Sequence, residues 1–144
     1  WAFSKYLLLI VADASDKNVR SAFSYGYYLG MSYQIIDDYL DFVGGAQNLG
    51  KEVGQDLMNG NITLPALLAK EEKPELFYNF TKDTSSEEKD EIIKYIKNND
   101  RVLSETLTIS RRYLEKAQKS INNIDYTVKD ELSFIMNKLA RRDN

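Results

Sequence analysis

From Lys17 to Phe42 the sequence reads KNVRSAFSYGYYLGMSYQIIDDYLDF, and after Arg20 no basic side chain occurs until Lys51. Apolar and aromatic residues fall on every side of a 3.6-residue turn and do not alternate with the period of two that a half-buried strand requires. The stretch is therefore expected to form one long helix, too apolar around its circumference to be solvated on any broad side. Its C-terminal end nevertheless carries three carboxylates, Asp37, Asp38 and Asp41, with no positive partner nearby in sequence.

A helix advances roughly 100° per residue, so with Asp37 at zero, Asp41 lies at roughly 40° and Asp38 at roughly 100°. The three carboxylates are expected to share one face. On the same projection Gln34 falls at roughly 60°, Gly30 at roughly 20°, Gly26 at roughly −20° and Phe23 at roughly 40°. Carboxylates at a helix C-terminus meet the negative end of the macrodipole and repel one another, and a divalent cation would relieve both effects. Glycines inside a helix each cost about 1 kcal/mol relative to alanine, which usually means close approach by another helix or a ligand. The pattern suits a ligand with an anionic head bridged by metal and an apolar tail lying along the helix. The same residues also fit a solvated acidic helix end, glycines at a helix contact and a satisfied core amide at Gln34.

The chain of 144 residues has 43% hydrophobic and 28% charged side chains, which suits one globular domain or a large part of one. A formal charge of −3 argues against a nucleic-acid partner. The absence of cysteine excludes disulfides and thiolate chemistry. With no histidine either, any metal must be held by oxygen, which favours a hard ion such as Mg2+. The longest uncharged run, Ser21 to Ile36, is too short for a membrane span and contains Ser and Gln. No signal peptide is visible, so a cytoplasmic location is expected. The chain opens in mid-pattern on WAFSKYLLLIVADAS, with no Met and no helix cap, so a preceding part is expected.

Of the 19 basic and 22 acidic residues, four and seven lie in residues 1–69, leaving fifteen of each in residues 70–144. The first half reads as core and site, the second as amphipathic helices with solvated faces. An apolar helix end is expected from Ala2 to about Ala14. Residues 44–61, with five of the seven glycines, should form a loop with at most short turns. Pro65 suits the first turn of a helix from Leu64 to about Glu72. Ser85 and Glu88 fit a capping box for a helix reaching about Asn98. Leu103, Leu107, Leu114, Ala117 and Ile121 stripe a further helix, and Val128, Leu132, Ile135 and Leu139 the last. The fold class is all-α.

The loop GKEVGQDLMNGNITLP adds chemistry to the acidic helix end. Gly50, Gly54 and Gly60 would let backbone N–H groups point at an anion, and Lys51 supplies a point charge for phosphate. Asp56 could hold Lys51 or sit beside the metal's ligands. An ordinary glycine-rich connection with a solvated lysine is the alternative. No strand precedes it, and it is not a nucleotide-binding phosphate loop.

Taken together, GYYLGMSYQIIDDYLDF and LGKEVGQDLMNGNITLP resemble the second aspartate-rich region of the trans-type polyprenyl (isoprenyl) diphosphate synthases. Gly30, Tyr33, Gln34, Asp37, Asp38 and Asp41 match the first part of that pattern. Gly50, Lys51, Gly54, Asp56, Leu57, Gly60, Thr63, Leu64 and Pro65 match the second. The matches cover residues 26–65, are highly specific, and look most like catalytic subunits of bacterial medium- and long-chain synthases.

The resemblance implies an all-α bundle of the isoprenoid synthase type, of which the chain would form the C-terminal half. In that family two DDxxD motifs face each other across a deep cavity and bind an allylic diphosphate through Mg2+. The allylic cation formed by ionisation is attacked by isopentenyl diphosphate, and a proton is then lost. By resemblance, Asp37 ligates Mg2+ directly, and Asp38 and Asp41 do so directly or through water. Lys51 contacts the leaving diphosphate, Gln34 lies near the reacting allyl group, and Tyr33 and Gly30 line the cavity. Asn61 departs from the family pattern, where many members have Lys, and no first DDxxD, Lys-Thr pair or arginine-rich site occurs in these residues. The isolated chain is therefore expected to be inactive, and its apolar helix to be buried against a second copy, as a homo-oligomer (dimer), against a preceding part, or against a heteromeric partner subunit. A non-catalytic helical subunit has no need of DDxxD and Lys51. A class I terpene cyclase would carry Asn/Asp, Ser/Thr and Glu in place of the second DDxxD.

Overall fold

A computed structural model of the chain describes residues 16–44 and 53–122. Every regular element among them is helical: α1 (Asp16–Val43), α2 (Gln55–Met58), α3 (Leu64–Glu72), a 3-10 turn (Pro74–Phe77), α4 (Ser86–Lys97) and α5 (Asp100–Ser120). The all-α class follows, and α1, α3, α4 and α5 stand where the sequence signals place them. The helices expected near residues 2–14 and 128–139 lie outside the described residues, as do Gly50 and Lys51.

Local chemistry fixes the boundaries. The N–H of Gly44 donates to the Leu40 carbonyl and closes α1. Pro65 sits in the first turn of α3, where no backbone donor is needed. The capping box of α4 is complete: the Glu88 amide donates to Ser85 Oγ and the Ser85 amide to Glu88 Oε2. Asn99 Oδ1 accepts from the Val102 amide and caps α5, while its Nδ2 donates to Glu72 Oε1 at the end of α3.

The chain divides into two compact units. The first, among described residues, comprises 16–34 and 109–122. Ala22, Tyr25, Leu29, Ala117 and Ile121 form its buried cluster, flanked by Val19, Tyr28 and Leu114. Beside this cluster the hydroxyls of Ser32 and Ser110, both buried, stand 2.8 Å apart. The opposite face of α1 in this unit is open: Phe23 is 67% and Tyr27 54% exposed. Thus the apolar circumference read from the sequence is covered on one side only among the described residues.

The second unit runs from Ile35 to Thr108. Its core holds Phe42, Leu57, Ala66, Ala69, Phe77, Ile92, Ile93, Ile96 and Val102. Helix α4 packs against α2 and α3, and α3 against the 3-10 turn. Burial of this apolar set, at about 25 cal/mol per Å², is what seats the short α2 helix, since four residues cannot hold helical geometry alone. Along α5 the buried row is Val102, Thr106 and Ser110, with Leu103 and Leu107 only half-buried. The expected stripe holds at Ala117 and Ile121, which are buried, and is offset only in the first half of the helix, where Val102 and Thr106 take the interior positions. The hydroxyls of Thr106 and Ser110 enter the interior because each finds a carbonyl acceptor, at Val102 and Ser32.

Candidate functional site

Helix α1 delivers its three carboxylates to different environments. Asp37 is exposed. Asp38 lies about 100° further round and is only 8% exposed. The expectation of one shared face therefore holds for Asp37 and Asp41 but not for Asp38, which turns towards the row of Ile35 and Phe42. Asp38 has an interaction partner.

Asp41 is bound at both oxygens. The Gln55 amide donates to its Oδ1 and the Asp56 amide to its Oδ2, each at 3.2 Å. The Gly54 amide donates to the Asp41 carbonyl at 2.8 Å. Asp41 thus caps α2 from a separate helix, a role that Gly54, the residue preceding α2, cannot fill because it has no side chain. Burial pushes the Asp41 carboxyl above the usual carboxylate range. The Asp56 amide opposes this, the charge of Asp56 adds to it, the Gln55 amide opposes it, and the charge of Asp38 adds to it.

This arrangement corrects the reading of the loop glycines. The Gly54 N–H is spent on Asp41, and the Gly60 N–H donates to the Leu57 carbonyl at 2.9 Å. Neither points at an anion. Gly54 is needed for its left-handed backbone, φ 77°, and because a Cβ would lie 2.6 Å from Ile93 Cδ1. Sequence reasoning misses the amide cradle around Asp41; the signal available is a glycine followed by a helix too short to supply its own cap.

Of the other expected residues, Gly30 has open space where a Cβ would stand, with nothing within 4 Å, so among described residues it is not a close helix contact. Tyr33 and Gln34 are exposed, and each has an interaction partner. Asp56 is half-buried and its carbonyl accepts from the Asn61 amide at 2.8 Å. Lys51 lies outside the described residues. Thr63, within the matched segment, has its Oγ1 buried and without a hydrogen-bond partner among the described residues.

The donors present suit a hard ion. Among described residues no three acidic side chains stand close enough to hold a metal by themselves. Mg2+ does not require that: it commonly takes one or two carboxylates and completes its shell with water and substrate phosphate. Asp37 is free to ligate, and each Asp41 oxygen keeps a lone pair after its amide bond. No helix among the described residues is long and apolar enough to cross a membrane.

Comparison with known proteins shows the family and the fold likeness of the chain. The sequence profile of the polyprenyl synthetase family matches residues 2–98. Heptaprenyl diphosphate synthase component 2 of Bacillus subtilis is 40% identical over 126 residues, covering 85% of this chain and 36% of the relative. The crystal structure of heptaprenyl diphosphate synthase from Staphylococcus aureus superposes with a TM-score of 0.78 at 36% identity, over 90% of this chain and 42% of that one. The apo form of an Arabidopsis medium/long-chain length prenyl pyrophosphate synthase gives a TM-score of 0.73 at 26% identity, over 94% and 46%. The chain thus spans less than half the length of these relatives.

Proposed function

The chain belongs to the polyprenyl synthetase family, and from that premise we propose that it is the part of a prenyltransferase that carries the second aspartate-rich site. The reaction is the condensation of an allylic diphosphate with isopentenyl diphosphate in isoprenoid biosynthesis. The observation that carries this reading is the pairing of an exposed Asp37 with an Asp41 whose carboxylate is held by two backbone amides. One ligand is thus available and the next is fixed in orientation, as metal-assisted departure of a diphosphate requires.

Asp37 is a direct ligand of the divalent ion, taken to be Mg2+, and Asp38 and Asp41 act directly or through water. When bound, the ion neutralises negative charge developing on the leaving diphosphate. Lys51 contacts that diphosphate, with Asp56 close in sequence to steady the loop. Gln34, Tyr33 and Gly30 lie further along α1, towards the allylic group. No histidine base is needed when the released diphosphate accepts the proton. The assembly is a dimer or a pairing with a second kind of subunit, and the word "component" in the name of the Bacillus subtilis relative supports the latter. The location is cytoplasmic.

The test is isopentenyl incorporation by the whole protein in Mg2+. Asp37→Ala is expected to lower turnover by orders of magnitude with helicity unchanged, and Lys51→Ala to slow ionisation and weaken diphosphate binding. Near-normal turnover in Asp37→Ala overturns the metal assignment.

A further inference from the structure

Helix α2 is gripped at both ends by side chains that stand far apart in sequence. At its N-terminus are the Asp41 oxygens. At its C-terminus is Lys89 of α4, only 6% exposed, whose Nζ donates to the Met58 carbonyl at 3.1 Å and the Lys82 carbonyl at 2.8 Å. An ammonium is costly to bury, and two charge-assisted bonds to carbonyls offset that cost. Lys89 lies outside the aspartate-rich motif and its loop, so catalytic-site chemistry does not account for it.

Helix α4 presents Ile93 one turn beyond Lys89, on the same face. The four-residue step from Lys89 to Ile93 rises about 6 Å, the length of a four-residue helix such as α2. Ile93 abuts Gly54 at one end of α2 while Lys89 holds the other. Lys82, whose carbonyl Lys89 also binds, packs so closely on Gly60 that a Cβ there would lie 3.1 Å from Lys82 Cα. Residues 82–93 therefore form a brace along the whole of α2 and the turn after it.

We propose that Lys89 is a positioning residue for Asp41: by anchoring the C-terminal carbonyl of α2 it keeps the Gln55 and Asp56 amides aimed at the Asp41 carboxylate. This rests on the reading of Asp37 and Asp41 as metal-site residues. A ligand's hydrogen-bonded supports govern metal affinity, and losing one typically costs about 10- to 100-fold. Lys89→Met keeps the aliphatic length and removes the donors.

The experiment has two arms. In the first, amide hydrogen exchange over residues 53–60 is measured without metal. Lys89→Met is expected to speed exchange there about tenfold or more while residues 103–119 of α5 keep their protection. In the second, Mg2+ is titrated against turnover of the whole protein. The half-saturating Mg2+ concentration should rise about tenfold with turnover at saturating Mg2+ largely retained, and Lys89→Arg should recover part of the shift. Unchanged exchange at residues 53–60, or loss of turnover with no change in the Mg2+ requirement, overturns the proposal. If Lys89→Met does not fold, Lys89→Gln is read in both arms by the same criteria. Failure of the functional reading is seen separately, as normal turnover in Asp37→Ala.

Discussion

The amide of Gly54 donates to the carbonyl of Asp41 at 2.8 Å, so the loop returns to the end of α1 and starts α2 against it. With the Gln55 and Asp56 amides on the Asp41 side chain, three successive N–H groups converge on one residue. These are the donors that a helix N-terminus leaves without intrahelical partners. Asp41 is therefore structural as well as acidic, and Asp37, one turn earlier and exposed, is not.

That difference separates two substitutions that sequence spacing treats alike. Asp37→Asn should leave stability within about 0.5 kcal/mol of the parent, as exposed substitutions do. Asp41→Asn should cost about 0.5–2 kcal/mol, because an amide NH2 would face one of the two backbone N–H groups. Both should reduce turnover. Urea denaturation followed by circular dichroism separates them; equal stability losses would show that Asp41 is not a cap.

Gly54 should tolerate no side chain. Its φ of 77° costs a non-glycine residue about 1–2 kcal/mol. An alanine Cβ would also stand 2.6 Å from Ile93 Cδ1, forcing that side chain from its place in the core. Gly54→Ala is expected to destabilise by about 2–4 kcal/mol in total. In an Ile93→Ala background the same change should cost only the backbone part. Identical costs in the two backgrounds, measured by denaturant titration, would refute the steric share.

Much of this architecture was legible in the sequence, and the exceptions share a cause. Helix α3 stands at Leu64–Glu72 because Pro65 fixes its start. Helix α4 runs from Ser86 to Lys97 because Ser85 and Glu88 complete its capping box. Those signals are local. Helix α2 was not legible, because its two anchors, Asp41 and Lys89, come from distant segments. On α5 the buried Ala117 and Ile121 were legible, but Thr106 and Ser110 were not, because their hydroxyls enter the interior only where carbonyl acceptors meet them. At the candidate site, spacing placed Asp37 and Asp41 on one face, but the fate of Asp38 depends on the neighbours of α1 rather than on its own residues.

Tyr25 gives a pH dependence. It is fully buried in the first unit, and desolvation of its charged form raises its pKa from 10.0 to about 12. The folded state then keeps the phenolic proton where the unfolded chain has lost it. Stability from this group is fully present below about pH 10 and is lost as pH rises towards about 12. Tyr25→Phe should flatten that part of the stability–pH curve relative to the parent. Parallel curves for the two proteins across this window would contradict the assignment.

Ser32 and Ser110 test the helix contact in the first unit. Their hydroxyls are 2.8 Å apart and buried, and Ser110 Oγ also lies 3.3 Å from the Ser32 carbonyl. Ser110→Ala leaves the buried Ser32 hydroxyl without this partner, a cost of about 1–3 kcal/mol, Ser32→Ala leaves Ser110 only its longer contact to the Ser32 carbonyl, and replacing both removes the need for either. Ser110→Ala and Ser32→Ala are therefore expected to destabilise individually, and the double variant to lose about 0.5–1.5 kcal/mol less than the sum of the two. The void left by each substitution enters once in its single variant and once in the double, so the cycle reports the hydroxyl pair. Strict additivity in urea denaturation would mean that the two hydroxyls are satisfied elsewhere and do not tie α1 to α5.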